Sequence, residues 1–147
     1  MNKKKLVTEM GRIDRDAFAQ AEKLPLVVVL DNVRSLHNVG SVFRTGDAFR
    51  LERIMLCGIT ATPPSAEIHK TALGAEDVVE WQYFESTMDA VETLRGEGYK
   101  IYSIELCEGS IALQNFETAA GERTICFTRS LSRPSFTRST SGGSTSS

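Results

Sequence analysis

Cysteine is scarce in this sequence and never clustered. Cys57, Cys107 and Cys126 lie far apart, and no C-x-x-C pair occurs. A zinc ribbon or a disulfide scaffold is therefore excluded by spacing, and each thiol, set in or beside an apolar run, reads as a buried free cysteine. The two histidines, His37 and His69, are equally isolated, so no metal is expected. No apolar run reaches the length of a membrane span. The basic start, Met1 to Lys5, is not followed by the apolar stretch of a signal peptide, so a cytoplasmic protein with no membrane partner is expected. Charge of one sign is lacking too. Lys and Arg number 17 against 19 Asp and Glu, a formal net charge of −2. Any contact with nucleic acid must then come from local basic groups.

What is present is alternation. The 147 residues suit one domain with a real core. Residues 9–22 carry charges mixed with Met10, Ile13, Ala17, Phe18 and Ala21 and predict an amphipathic helix that Leu24-Pro25 ends. "LVVVLD" (26–31) is a continuous β-branched run, as expected of a strand covered on both faces. Val39, Val42, Phe43 and Phe49 then fall on one helical face. "RIMLCG" (53–58) predicts a second strand. A short helix follows the Pro-Pro turn, with Ser65 as its cap and Gly74 as its stop. "DVVEWQYF" (77–84) predicts a third strand. Residues 86–98 predict a helix capped by Ser86 with Asp89 three positions on, carrying Met88, Val91 and Leu94 on one face and ended by Gly96 and Gly98. "YKIYSIEL" (99–106) and "RTICFT" (123–128) supply two more strands. This order argues for an α/β fold with an open, mostly parallel sheet and right-handed crossovers.

The stretch "DNVRSLHNVGSVFRTGDAF" (31–49) concentrates hydrogen-bonding groups at a strand-to-helix junction, where ligands of open α/β sheets usually sit. Dinucleotide binding fails on motif grounds, because Gly40 stands alone where G-x-G-x-x-G needs three glycines, and the Walker pattern is missing. In a purely structural reading, Asn32, Ser35 and Asn38 satisfy turn backbone and cap the helix, Gly40 allows close helix–strand packing, and Arg44 snorkels to solvent. In a third reading, Arg44 and Arg34 form a corner for an anionic or polar ligand, held in place by Asn38.

The same residues, continued through "ERIMLCGITATPPSAEIHKTALGAEDVVEW", resemble the signatures of the SpoU (TrmH-type) RNA ribose methyltransferases of the SPOUT superfamily: N-x-G-x-x-x-R, a G-x-T-like loop and K-T-x-L-G-A. The likeness extends over roughly residues 6 to 127. It implies a methyl transfer from S-adenosylmethionine to a ribose 2′-hydroxyl of transfer or ribosomal RNA, with Arg44 in catalysis and Asn38 organising its loop. Arginine stays protonated, so its natural role is to fix the hydroxyl or a neighbouring phosphate and stabilise the developing alkoxide. Arg34 and Lys70 are then RNA contacts, although a solvated lysine explains Lys70 nearly as well. His37 reads as a loop histidine bonded to backbone. The basic Lys3, Lys4 and Lys5 read as a frayed terminus.

The resemblance also implies two downstream signatures, a G-N-E-like turn and an S-L-N loop, which in the family carry much of the cofactor pocket, a deep trefoil knot and helices that build a homodimer. Neither occurs here. "RTICF" runs into "TRSLSRPSFTRSTSGGSTSS", dominated by serine and threonine, with three arginines and no acid. The expectation is therefore a methyltransferase domain over 1–127 and a disordered tail over 128–147, read as the product of a frameshift near codon 128. On that reading the knot region is absent, S-adenosylmethionine binds weakly or not at all, and activity is impaired. A non-catalytic RNA-binding protein is the alternative. A small-molecule binder of α/β fold accounts least well for residues 32–44.

Overall fold

A computed structural model describes residues 15–104 and 108–129. The first helix, α1 (Arg15–Gln20), is followed by β1 (Leu24–Asp31), α2 (Leu36–Phe49), β2 (Leu51–Cys57), α3 (Ala66–Ala72), β3 (Trp81–Phe84), α4 (Thr87–Gly96), β4 (Lys100–Ile104) and β5 (Thr124–Arg129). Short 3-10 turns lie at Ala75–Asp77 and Leu113–Asn115. The five strands form one sheet in the order β3-β2-β1-β5-β4. Every pairing is parallel.

β1 lies in the middle of the sheet, and its apolar run divides between two cores with the two-residue period of a strand. Leu30 packs with Ile54 and Leu56 of β2 against Val39 and Phe43 of α2 and Ile68 and Ala72 of α3. Val27 and Val29 pack with Met55 and Cys57 against Ala90 and Leu94 of α4. The two chain steps that move toward β3 thus put α2 and α3 on one face, while the step back across the sheet puts α4 on the other. That arrangement is what a constant crossover hand requires. The continuous apolar strand expected at 26–31 is the strand buried on both faces.

The differences from the sequence reading have physical causes. Leu24 and Pro25 begin β1 rather than end a helix, and of residues 9–22 only 15 onward are described. The third strand is shorter than 77–84. Gly74 turns the chain at φ 91°, a 3-10 turn follows, and Val79 is buried against the α2 side of the sheet. An apolar pair in a turn and one in a strand look alike in sequence. Phe49 is 65% exposed and Met88 is 44% exposed. The buried positions of α2 are Val39, Gly40, Phe43 and Gly46, so two glycines occupy the face on which an apolar count would seek large side chains. In α4 Ala90, not Met88, joins Val91 and Leu94 inside.

Gly40 does provide close packing, but between helices. A Cβ at Gly40 would overlap Thr71 Oγ1 and the Ile68 carbonyl oxygen and lie 3.1 Å from Ala72 N, so α2 and α3 cross at backbone contact. Ser65 caps α3 as expected, its hydroxyl accepting the Ile68 N–H at 3.4 Å. The left-handed residue ending α3 is Leu73, at φ 54°, one position before the anticipated glycine. Ser86 holds the N-cap position of α4 without a side-chain cap bond. Of the 128–147 stretch, Thr128 and Arg129 belong to β5, and residues 130–147 lie outside the described part.

The amino ends of the strands are tied by charge. Tyr99 donates its hydroxyl hydrogen to Glu52 Oε1 at 2.5 Å, and the Arg123 guanidinium lies 4.0 Å over the Tyr99 ring. Such a stacked, paired arginine has the mark of a structural pin.

Candidate functional site

The carboxyl ends of β1 and β2 carry a polar assembly, and most of it is spent on holding two loops together. β1 ends at Asp31, which pairs in register with Cys57. The Asp31 carboxylate is buried and accepts two hydrogen bonds on Oδ1, from Thr87 Oγ1 at 2.7 Å and from Asn32 Nδ2 at 2.6 Å. Asn32 itself adopts φ 52°, the left-handed region that asparagine tolerates better than most residues. That turn lets its Oδ1 accept the Ile59 N–H at 3.1 Å. A Cβ on Gly58, at φ 63°, would overlap that same oxygen. Thr60 completes the clasp. Its buried hydroxyl accepts the Val33 N–H at 3.0 Å, with the Cys57 and Leu30 carbonyls at 2.8 and 3.1 Å as acceptors for its hydrogen. The loop after β1 is thus fastened to the loop after β2 before α2 begins.

Burial pushes the Cys57 thiol up to about 11; the Thr87 hydrogen bond opposes this shift and the nearby Asp31 carboxylate adds to it. The thiolate is the reactive form, so Cys57 is expected to stay unmodified by iodoacetamide near neutral pH in the native protein and to react in urea. Peptide mass mapping reads this directly; native labelling of the Cys57 peptide would contradict the buried placement.

From this fastened loop α2 departs, capped by Ser35, whose hydroxyl accepts the Asn38 N–H at 3.2 Å. The His37 carbonyl accepts hydroxyls from Ser41 at 2.9 Å and from Thr71 of α3 at 3.0 Å, which fixes α2 to its neighbour. Arg44 stands on the outer side of α2, seven residues from His37 and three from Ser41, so the three share one stripe. Its side chain is 50% exposed and meets Asp47 Oδ2 at 3.4 Å. The guanidinium is therefore half open to solvent and, among the described residues, engaged by a long contact. Asn38 is exposed, and its side-chain amide makes no hydrogen bond to the described residues. Arg34 is exposed on the loop just before α2. Lys70 lies across on α3, where it donates to Glu67 Oε1 at 2.5 Å; Glu67 Oε2 is 3.6 Å from His37 Nε2. Lys70, Glu67 and His37 thus form a chain of polar side chains on the surface, and the hydrogen bond from Lys70 holds Glu67 below the usual carboxylate range.

The structure therefore groups Arg34, Asn38 and Arg44 on one loop and helix, with Lys70 on the helix packed against it. The residue that fastens the loop is Asn32, and Thr60 and Thr71 complete the attachment. Asn32 carried a signal, an asparagine directly after a strand. Thr60 carried none, because its partner Val33 lies 27 residues away. Among the described residues, no group of three or more His, Cys, Asp or Glu side chains is placed to hold a metal ion. No helix among them is long and apolar enough to cross a membrane.

The profile of the SpoU rRNA methylase family matches residues 25–127, β1 through β5. The chain belongs to that family. It is similar to the 23S rRNA (guanosine-2'-O-)-methyltransferase RlmB of Vibrio parahaemolyticus, 29% identical over 94 residues that cover 64% of this chain and 38% of that one. Its fold resembles that of the A. aeolicus TrmH/SpoU tRNA modifying enzyme, with a TM-score of 0.65 at 17% identity, over 79% of this chain and 57% of that one. It also resembles an AdoMet-bound rRNA methyltransferase from Sinorhizobium meliloti, with a TM-score of 0.62 at 22% identity, over 88% of this chain and 54% of that one. The chain spans about two fifths of the length of the curated relatives it matches. The parallel α/β sheet expected from the alternating pattern is the fold of these SpoU structures.

Proposed function

We propose that residues 25–127 form the RNA-handling part of a methyltransferase that places a methyl group from S-adenosylmethionine on a ribose 2′-hydroxyl of ribosomal or transfer RNA. The observation that carries this reading is the presentation of Arg44. It sits on a helix fixed at its base by Ser35, Thr71 and the Asn32–Thr60 clasp, yet its own side chain is half exposed and only loosely engaged. A guanidinium held this way exchanges a long contact with Asp47 for a better acceptor at little cost. It can grip a phosphate or a ribose hydroxyl and stabilise negative charge on the oxygen as it forms, but it cannot serve as the base. On this reading the exposed Arg34 and Lys70 meet phosphates, and the exposed Asn38 amide offers a donor and an acceptor to the sugar edge.

The donor side is different. The polar groups that follow β1 and β2 (Asp31, Asn32 and Thr60), with Thr87 at the start of α4, are bonded to one another or to backbone. As placed, they do not fit the role of a cradle for S-adenosylmethionine.

That inward-turned polar assembly favours one other reading, an RNA-binding module without catalysis. Fluorescence anisotropy with RNA and DNA of the same sequence, over a range of salt concentrations, separates the two. Handling of the 2′-hydroxyl predicts that RNA is preferred by about tenfold at every salt concentration, the worth of one charge-assisted hydrogen bond. Equal affinity for both strands with the same salt slope would leave only phosphate contact.

A further inference from the structure

A cleft of about 570 Å³ opens beside α3, lined by Pro63, Pro64, Trp81, His69 and Glu76 among others. None of these residues takes part in the clasp or in the Arg44 surface. Glu76 is buried, and both of its oxygens are engaged: Oε1 lies 2.5 Å from His69 Nδ1, and Oε2 accepts the Gly74 N–H at 2.9 Å. Burial alone would raise its pKa, but these two contacts outweigh that and hold it below the ordinary value. Each oxygen of this carboxylate is thus already engaged. That has a consequence for His69. In the tautomer that donates Nδ1–H to Glu76, Nε2 is left as an acceptor. The His69 side chain is 62% exposed, so that nitrogen is accessible.

The cleft therefore offers a lining that is mostly apolar, with Trp81 its aromatic member, and an accessible acceptor at His69 Nε2. Asp77, at the rim and exposed, disfavours a phosphate inside. A planar heterocycle that carries its charge elsewhere fits these constraints. We propose that the cleft between α3 and β3 takes one unpaired RNA base with an exocyclic amine, stacked on Trp81 and hydrogen-bonded to His69 Nε2. The proposal rests on the RNA reading above and adds to it a base subsite separate from Arg44. Stacking of single-stranded bases on aromatic side chains is the usual way RNA is read outside helices.

The sequence contains one tryptophan, so its fluorescence reports this cleft alone. The full chain is titrated with short oligoadenylate and oligouridylate, following tryptophan emission and, in parallel, the anisotropy of a dye-labelled copy of each strand. Saturable quenching by oligoadenylate is expected, about tenfold weaker with oligouridylate, which lacks the amine. His69→Ala is expected to reduce the oligoadenylate preference about tenfold with an unchanged urea midpoint, and Glu76→Gln to reduce it as well. Anisotropy that reports binding while tryptophan emission stays flat overturns the base subsite and leaves the RNA reading standing. No binding by either signal removes both. Emission that changes with protein concentration in the absence of RNA assigns the cleft to a second copy of the chain and overturns the proposal.

Discussion

Replacing Gly40 by alanine is expected to destabilise the fold by about 2–3 kcal/mol, the range of overpacking in a closed interior. Intrinsic helix propensity works the other way, since alanine is favoured over glycine by about 1 kcal/mol in a helix, so a net loss isolates the steric cost. The obstruction is the Ile68 carbonyl oxygen together with Thr71 Oγ1. The hydroxyl can rotate, but the carbonyl belongs to α3 and cannot move without it. Separating the helices would also strain the bond from Thr71 to the His37 carbonyl, which anchors the start of α2. Gly46 is the control: a Cβ there meets only the flexible ends of Leu51 and Ile54, at 3.3 and 3.4 Å, and Gly46→Ala should change stability by less than about 1 kcal/mol. Urea midpoints of both variants check the pair. Equal midpoints would mean that α2 and α3 do not meet at backbone contact.

Thr60→Val is expected to cost about 2 kcal/mol despite its matched shape. The partly buried Val33 N–H loses its acceptor, the buried Cys57 and Leu30 carbonyls lose the hydroxyl hydrogen, and such unsatisfied groups carry a desolvation cost. Thr60→Ser keeps the hydroxyl and should lie within about 1 kcal/mol of the parent. Hydrogen exchange locates the effect: the Val33 amide should exchange faster in Thr60→Val while amides in the middle of β2 do so only through global unfolding. Unchanged protection at Val33 would mean that the two loops are not joined through this hydroxyl.

The central strands were legible because burial on both faces leaves a plain signature. A run such as Val27-Val28-Val29-Leu30 has no polar side to turn to solvent. The helix caps were half legible. Ser65 caps by its own hydroxyl, whereas at Ser86 the bond goes unmade and the neighbouring Thr87 reaches Asp31 instead. The burial of Gly40 and Gly46 could not be read from hydrophobicity, because what places them inside is the lack of a side chain where another helix or strand approaches. Of the candidates Arg34, Asn38, Arg44 and Lys70, the sequence shows the positions but not the setting. The exposure of Arg44 depends on which face of α2 packs down, and that is decided by α3, some thirty residues later in the chain. The clasp formed by Asn32, Gly58 and Thr60 is a contact between two loops distant in sequence, which no local pattern records.

The central claim is that Arg44, half exposed on a fixed helix, recognises the ribose 2′-hydroxyl. The direct measurement is the ratio of affinities for an RNA strand and its 2′-deoxy counterpart at one salt concentration, for the parent chain and for Arg44→Ala. Because Arg44 is half exposed and bonded only to Asp47, the substitution should leave the urea midpoint nearly unchanged. The account predicts that the parent prefers RNA by about tenfold and that Arg44→Ala brings the ratio close to one. An RNA preference that survives Arg44→Ala undiminished would contradict it.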